Sequence, residues 1–244
     1  KIYQYSRYNT DRDDGHIRSR KMKALRNSVA VAILTTIILA IFGLAVSGSA
    51  SAKTTAADVK YEPIASGKYT FDPAHTVIGF GVRHLGIALV EGRFKDIKGT
   101  VDYNSEDVTR SSVHFTAKID SIDTGVAPRD AHLKSPDFFD SAKFPEMTFK
   151  STKIERSNKR MTITGDLTIK GVTKQVSFPF SLTGGIKDPW GGTRFGIAAG
   201  TKLNRRDFGI NFGSVLPSGA LDVADEVSIE LHIEALKAES KSTN

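Results

Sequence analysis

Strict alternation of apolar and polar residues limits what this chain can fold into more than any other feature. Val113, Phe115, Ala117 and Ile119 alternate with Ser112, His114, Thr116, Lys118 and Asp120. Met161, Ile163, Gly165, Leu167 and Ile169 repeat the pattern against Thr162, Thr164, Asp166, Thr168 and Lys170. Val176, Phe178, Phe180 and Leu182 continue it, as do Phe195, Ile197, Ala199 and Leu203. The clearest run is Val227, Ile229, Leu231 and Ile233 against Ser228, Glu230, His232 and Glu234. A side-chain period of two puts successive residues on opposite faces of a strand, one buried and one wet. Turn signals separate the runs: Ser157-Asn158, Lys170-Gly171 and Asp188-Pro189-Trp190-Gly191-Gly192. About eight such strands without long helical crossovers predict an all-β, antiparallel sheet. With one face wet on every strand, the sheet solves its edge problem by closing into a barrel.

An eight-stranded barrel either fills with side chains or holds one small ligand. Three inward positions are small: Ala117, Gly165 and Ala199. They either complete a filled taper beside Phe115, Phe149 and Phe195 or leave room, and alternation alone leaves both open.

Ahead of the barrel, the segment from Met22 reads MKALRNSVAVAILTTIILAIFGLAVSGSASAK. A basic start, an apolar stretch and Ala50-Ser51-Ala52 fit a secretory signal peptide over 22–52, which predicts a mature chain starting at Lys53. The alternative is an uncleaved anchor, since the apolar stretch is just long enough to span a bilayer. Residues 1–21 lack an initiator Met and hydrophobic periodicity and are assigned no fold. A polar linker is expected over 53–66, the barrel over 67–237 and a disordered tail over 238–244. Of 34 basic and 27 acidic residues, eight and three fall within 1–52, so the rest carries 26 against 24. No basic stripe remains to bind nucleic acid. Without cysteine there are no disulfides, thiolate nucleophiles or thiolate metal sites.

Gly-x-Ser-x-Gly, His-Glu-x-x-His and a Gly-rich phosphate loop are all absent. Of the five histidines after the leader, His114 and His232 fall on the wet parity, while His84 shares the inward parity of Ile78, Phe80 and Val82. The densest constellation is RDAHLKSPDFFD, Arg129 to Asp140. Ser135-Pro136-Asp137 reads as a helix or turn start. Leu133, Phe138 and Phe139 then form an apolar face that caps one barrel mouth. Arg129 and Asp130 are placed to pin the segment through charge-assisted hydrogen bonds. Read as chemistry, Asp130, His132 and Asp137 would form an acid–base set or metal ligands, although a metal site needs further ligands.

Five segments carry a resemblance to a known family: FDPAHTVIGFGVRHLG (71–86), EGRFKDIKGTVDYN (91–104), SIDTGVAPRDAHLKSPDFFDSAKFPEMTF (121–149), TGDLTIKGVTKQVSFP (164–179) and DPWGGTRFG (188–196). Together, over about Gly67 to Leu236, the chain resembles the YceI-like family, also called the polyisoprenoid-binding or lipid-binding YceI-like domain. The resemblance implies an eight-stranded, lipocalin-like barrel with a hydrophobic tunnel and a short helical lid. It also implies an exported bacterial protein that binds amphiphiles with long apolar chains, such as isoprenoid quinones or polyprenyl phosphates, with no catalytic residues and no cofactor. Within such a tunnel, parity selects Phe80, Val82, Phe115, Ile119 and Phe149, then Leu167, Phe178, Phe180, Phe195 and Ile197, as lining. Ala117 and Ala199 supply its space, and Phe138 and Phe139 its closure. Arg129, His84 and Trp190 are the candidates for a polar end.

Three functions are therefore in play: a carrier of an isoprenoid or fatty lipid in the periplasm or outside the cell, an enzyme acting on such a lipid through Asp130, His132 and Asp137, and a filled barrel serving as an interaction module. Transient membrane contact and a homodimer stay open.

Overall fold

A computed structural model of the chain describes residues 59–158 and 160–238. The expected N-terminal extension, the signal segment, linker residues 53–58 and tail residues 239–244 lie outside the described residues. In order come β1 (Gly67–Phe71), β2 (Val77–His84), β3 (Ala88–Phe94), β4 (Ile97–Tyr103), β5 (Ser112–Lys118), β6 (Ile122–Asp123), α1 (Ala127–Lys134), β7 (Glu146–Ser157), β8 (Arg160–Ile169), β9 (Val172–Lys187), β10 (Thr193–Asn204) and β11 (Val223–Lys237).

Eight of these strands form a closed antiparallel ring in the order β1-β4-β5-β7-β8-β9-β10-β11. The ring closes where Tyr69, Thr70 and Phe71 pair with Lys237, Leu236 and Ala235. Below that seam the same edge of β11 also carries β2, with Ile229 opposite Phe80 and Val227 opposite Val82. Strands β2, β3 and the two-residue β6 thus extend the wall beyond the ring at one end.

Alternation dictates the core. Phe115 and Ala117 of β5, Ile163 and Leu167 of β8, Phe178 of β9, Phe195 of β10 and Leu231 and Ile233 of β11 are all buried, while His114 and His232 are exposed. A bulge keeps β7 in phase. Ser151 faces Gly165 but Lys153 faces Thr164, and the extra residue returns Ile154 to the inside. In β9, Gly184 and Gly185 admit a second backbone. The N–H groups of Glu62 and Gly185 each donate to the other's carbonyl at 2.8 Å, and Ile64 is buried. Residues 61–64 therefore clasp the barrel rather than run free as a polar linker, because two bare glycines permit that approach.

The helix begins about two turns before its sequence signal suggests. It spans Ala127–Lys134, with Pro128 in its first turn, and stops at Ser135. Pro136 disfavours a helical Ser135 and cannot itself donate a backbone bond. Ser135-Pro136-Asp137 thus ends a helix instead of starting one.

On the outer wall, Arg194 of β10 staples the closing seam. It pairs with Asp72 at the β1–β2 junction, Glu234 of β11 and Asp188 of the β9–β10 turn. The Asp188 carboxylate also accepts the N–H groups of Trp190 and Gly192 at 2.9 and 2.8 Å. Hydrogen bonds from His75 and then Arg194 hold the Asp72 carboxyl down at about 2, well below its ordinary value.

Candidate functional site

Two apolar chambers lie inside the barrel. The larger, about 130 Å³, sits at the end closed by α1 and the 205–223 segment, and its wall presents only apolar atoms. Phe80 and Val82 reach it from β2, Phe94 from β3 and Ile229 and Leu231 from β11. Leu133, Phe138 and Phe139 close it from α1 and the turn that follows. Edge-on packing of Phe139 against Phe94 at 5.9 Å, and tilted packing of Phe94 against Phe80 at 5.9 Å, tie that turn to the barrel wall. The smaller chamber, about 50 Å³, is lined by Tyr103, Phe180, Phe195, Ile197 and Ala199 towards the opposite end. Phe115, Phe149, Phe178 and Leu231 line both chambers, which adjoin at these residues.

Polar groups at the mouth face away from this space. Arg129 donates from Nε to the Thr124 hydroxyl at 2.7 Å and from Nη2 to the Thr124 carbonyl at 2.8 Å. The Asp130 carboxylate accepts the Thr124 N–H at 2.9 Å and also its hydroxyl. Both charges pin the segment through one threonine and do not line the cavity. His132 pairs with Asp137 at 2.9 Å and packs edge-on against Phe138 and Phe212. Asp130, turned to Thr124, is not part of that pair, so the three residues do not gather into one acid–base or metal set. Among the described residues, the three potential metal ligands that do cluster are Asp72, His75 and Glu234, and Arg194 already occupies both carboxylates on the outer wall.

Several residues chosen by parity lie elsewhere. His84 is exposed at the tip of β2, where the pairing with β11 shifts register between Val82 and His84. Trp190 is 85 % exposed in the β9–β10 turn, at the end opposite Arg129, so no common polar end unites them. Ala117 and Ile119 are buried but touch neither chamber. Both lie near the end of β5, where Ala117 packs beneath Ile97 and Met147 on the flanking strands.

The segment after β10 was not chosen at all. Arg205, Phe208 and Ile210 are buried on the larger chamber's wall. Arg205 donates to the carbonyls of Ala224, Ile210 and Val223 at 2.8–3.0 Å and to Asp225 at 3.0 Å. Burial lowers its guanidinium below the usual range. Its parity, two beyond Leu203 on the inward face, was the readable signal. Phe208 and Ile210 lie in an irregular turn and carry none.

A closed, strongly alternating barrel with an apolar interior space and an aromatic cap defines the class of small antiparallel β-barrels. Its relatives make the class specific. A family model for the YceI-like domain matches residues 69–235. A UPF0312 protein of Photorhabdus laumondii is 40% identical over 156 residues, 64% of this chain and 80% of the relative. Protein YceI of Escherichia coli O157:H7 is 41% identical over 136 residues, 56% of this chain and 71% of that one. Among solved structures, Campylobacter jejuni YCEI superposes with a TM-score of 0.56 at 31% identity, covering 64% and 90% of the two chains. A polyisoprenoid binding domain from Saccharophagus degradans shares the fold with a TM-score of 0.54 at 12% identity, over 71% of this chain and 100% of its own. This chain belongs to the YceI-like family.

Proposed function

We propose that this protein holds the apolar chain of an amphiphilic lipid, an isoprenoid or a fatty chain, inside the barrel for storage or transport outside the cytoplasm. One observation carries the reading: the interior keeps a space whose wall presents no polar atom. A filled barrel would pack such a space to crystal-like density, and a site for polar chemistry would line it with donors and acceptors. Membership in the YceI-like family, and the shared fold of a protein described as a polyisoprenoid binding domain, support the same class of ligand. Burial of each methylene contributes about 0.8 kcal/mol, so a chain-like ligand needs few polar contacts to bind. Isoprenoid quinones and polyprenyl phosphates are the ligands we favour. Export would follow cleavage after Ala52, leaving Lys53 as the first residue.

The test is native mass spectrometry of protein purified from its own host without detergent, followed by organic extraction. A discrete mass excess that extracts as a lipid is expected. Protein at its bare mass, which also fails to take up added prenyl or fatty lipids, would exclude the carrier and leave the interaction module.

A further inference from the structure

We propose that the ring of Phe149, stacked on Phe115 and packed at a tilt against Phe178, is a gate that sets how long an apolar chain this barrel accepts. The inference rests on the binding reading above and specifies which chains that site takes.

Three observations carry it. The two chambers adjoin across four shared lining residues, and three of the four are phenylalanines whose rings lie in a row. Phe115 and Phe149 lie 5.5 Å apart and nearly parallel, and Phe149 and Phe178 lie 5.7 Å apart. Phe149 is the central ring, so its removal opens the partition.

The size of the larger chamber fixes what fits with the gate shut. An apolar cavity of about 150 Å³ accommodates one benzene ring. At about 130 Å³ the larger chamber therefore takes a segment of roughly six carbons. A long isoprenoid or fatty chain cannot be housed in this arrangement. It must reach the second chamber, and the shared wall stands in the way.

The seat of Phe149 explains how the wall can yield. A Cβ at Gly165 would come within 2.5 Å of Phe149 Cζ, so the ring lies directly on bare backbone of β8. No side chain at position 165 interlocks with it. A χ1 change to another staggered well would carry the ring off this seat, and a ligand that binds the open form better shifts the population towards it. Short chains thus bind without moving the ring, while longer chains must displace it before they gain contacts beyond.

Straight-chain 1-alkanols from four to sixteen carbons, titrated into delipidated full-length protein by calorimetry, test the gate. Affinity should rise about four-fold per methylene, the ratio expected for complete burial, until roughly six carbons. There the increment should collapse, and it should resume for chains long enough to enter the second chamber. In Phe149→Ala and Phe149→Leu the collapse should vanish and the increment run on unbroken. The leucine variant keeps most of the buried bulk and decides the question if the alanine variant does not fold. A constant increment through six carbons in the wild type, or an unchanged break in the variants, would overturn the gate while leaving a binding barrel. Failure of every alkanol and of longer prenyl alcohols to bind would overturn both.

Discussion

Ala117 and Ala199 share an inward parity, and the tertiary structure gives them opposite surroundings. Ala117 is wholly buried among packed neighbours and faces neither chamber, whereas Ala199 lines the smaller one. Enlarging the first must displace packed atoms, while enlarging the second moves carbon into space already present. Ala117→Leu should therefore cost about 1–3 kcal/mol, the usual penalty for overpacking. Ala199→Leu should keep most of the stability and lower lipid capture. Urea unfolding and lipid content of the two variants check this, and equal destabilisation would mean that the smaller chamber is closed to side chains. Residue-level reading fails at the same point in both cases. Alternation reports which face a side chain takes but not whether another side chain meets it there. His84 shows the limit: its parity is inward, but a register shift in the pairing with β11 leaves it exposed.

At the level of elements, closure depends on a short seam. From β1, Tyr69, Thr70 and Phe71 pair with β11, and Arg194 braces that junction from outside with Asp72, Glu234 and Asp188. Asp72 titrates at about 2 in the folded protein against an ordinary 3.8. A depressed carboxyl stabilises the fold above its unfolded value and loses that contribution as pH falls through the folded one. Wild type and Asp72→Asn should thus differ most in stability above about pH 4, with the gap narrowing towards pH 2. Urea midpoints at pH 7, 4 and 2.5 measure it, and a gap independent of pH would show that the aspartate acts only by shape. Asp188-Pro189-Trp190-Gly191-Gly192 was readable as a turn. That Asp72 and Arg194, 122 positions apart, meet at one seam was not, because strand order places them. The helix is the converse case: Pro128 and Pro136 both carry helix-boundary signals, and the position that begins the helix is the earlier one.

For the whole molecule, a ligand held only by the folded barrel must raise its stability by mass action. At a hundred times its dissociation constant the gain is about 2.7 kcal/mol. In a domain of this size, each kcal/mol moves the melting temperature by roughly 2–4 °C. Loaded protein should therefore melt about 5–10 °C above delipidated protein, as differential scanning calorimetry would show. Coincident melting curves would mean that the lipid sits outside the fold. The barrel itself was legible from sequence because strand burial is a local, periodic property: a period of two over several strands leaves few ways to hide one face of each. Turn positions and the aromatic cap of Leu133, Phe138 and Phe139 followed from composition alone. Tertiary structure alone decided that β11 is long enough to pair with both β1 and β2, and that Arg205 turns its charge to backbone carbonyls. It also decided that three phenylalanines, from β5, β7 and β9, meet where the two chambers adjoin. Those outcomes depend on register between strands far apart in the chain and on how volumes add up at the axis, and neither quantity is written in any single stretch of residues.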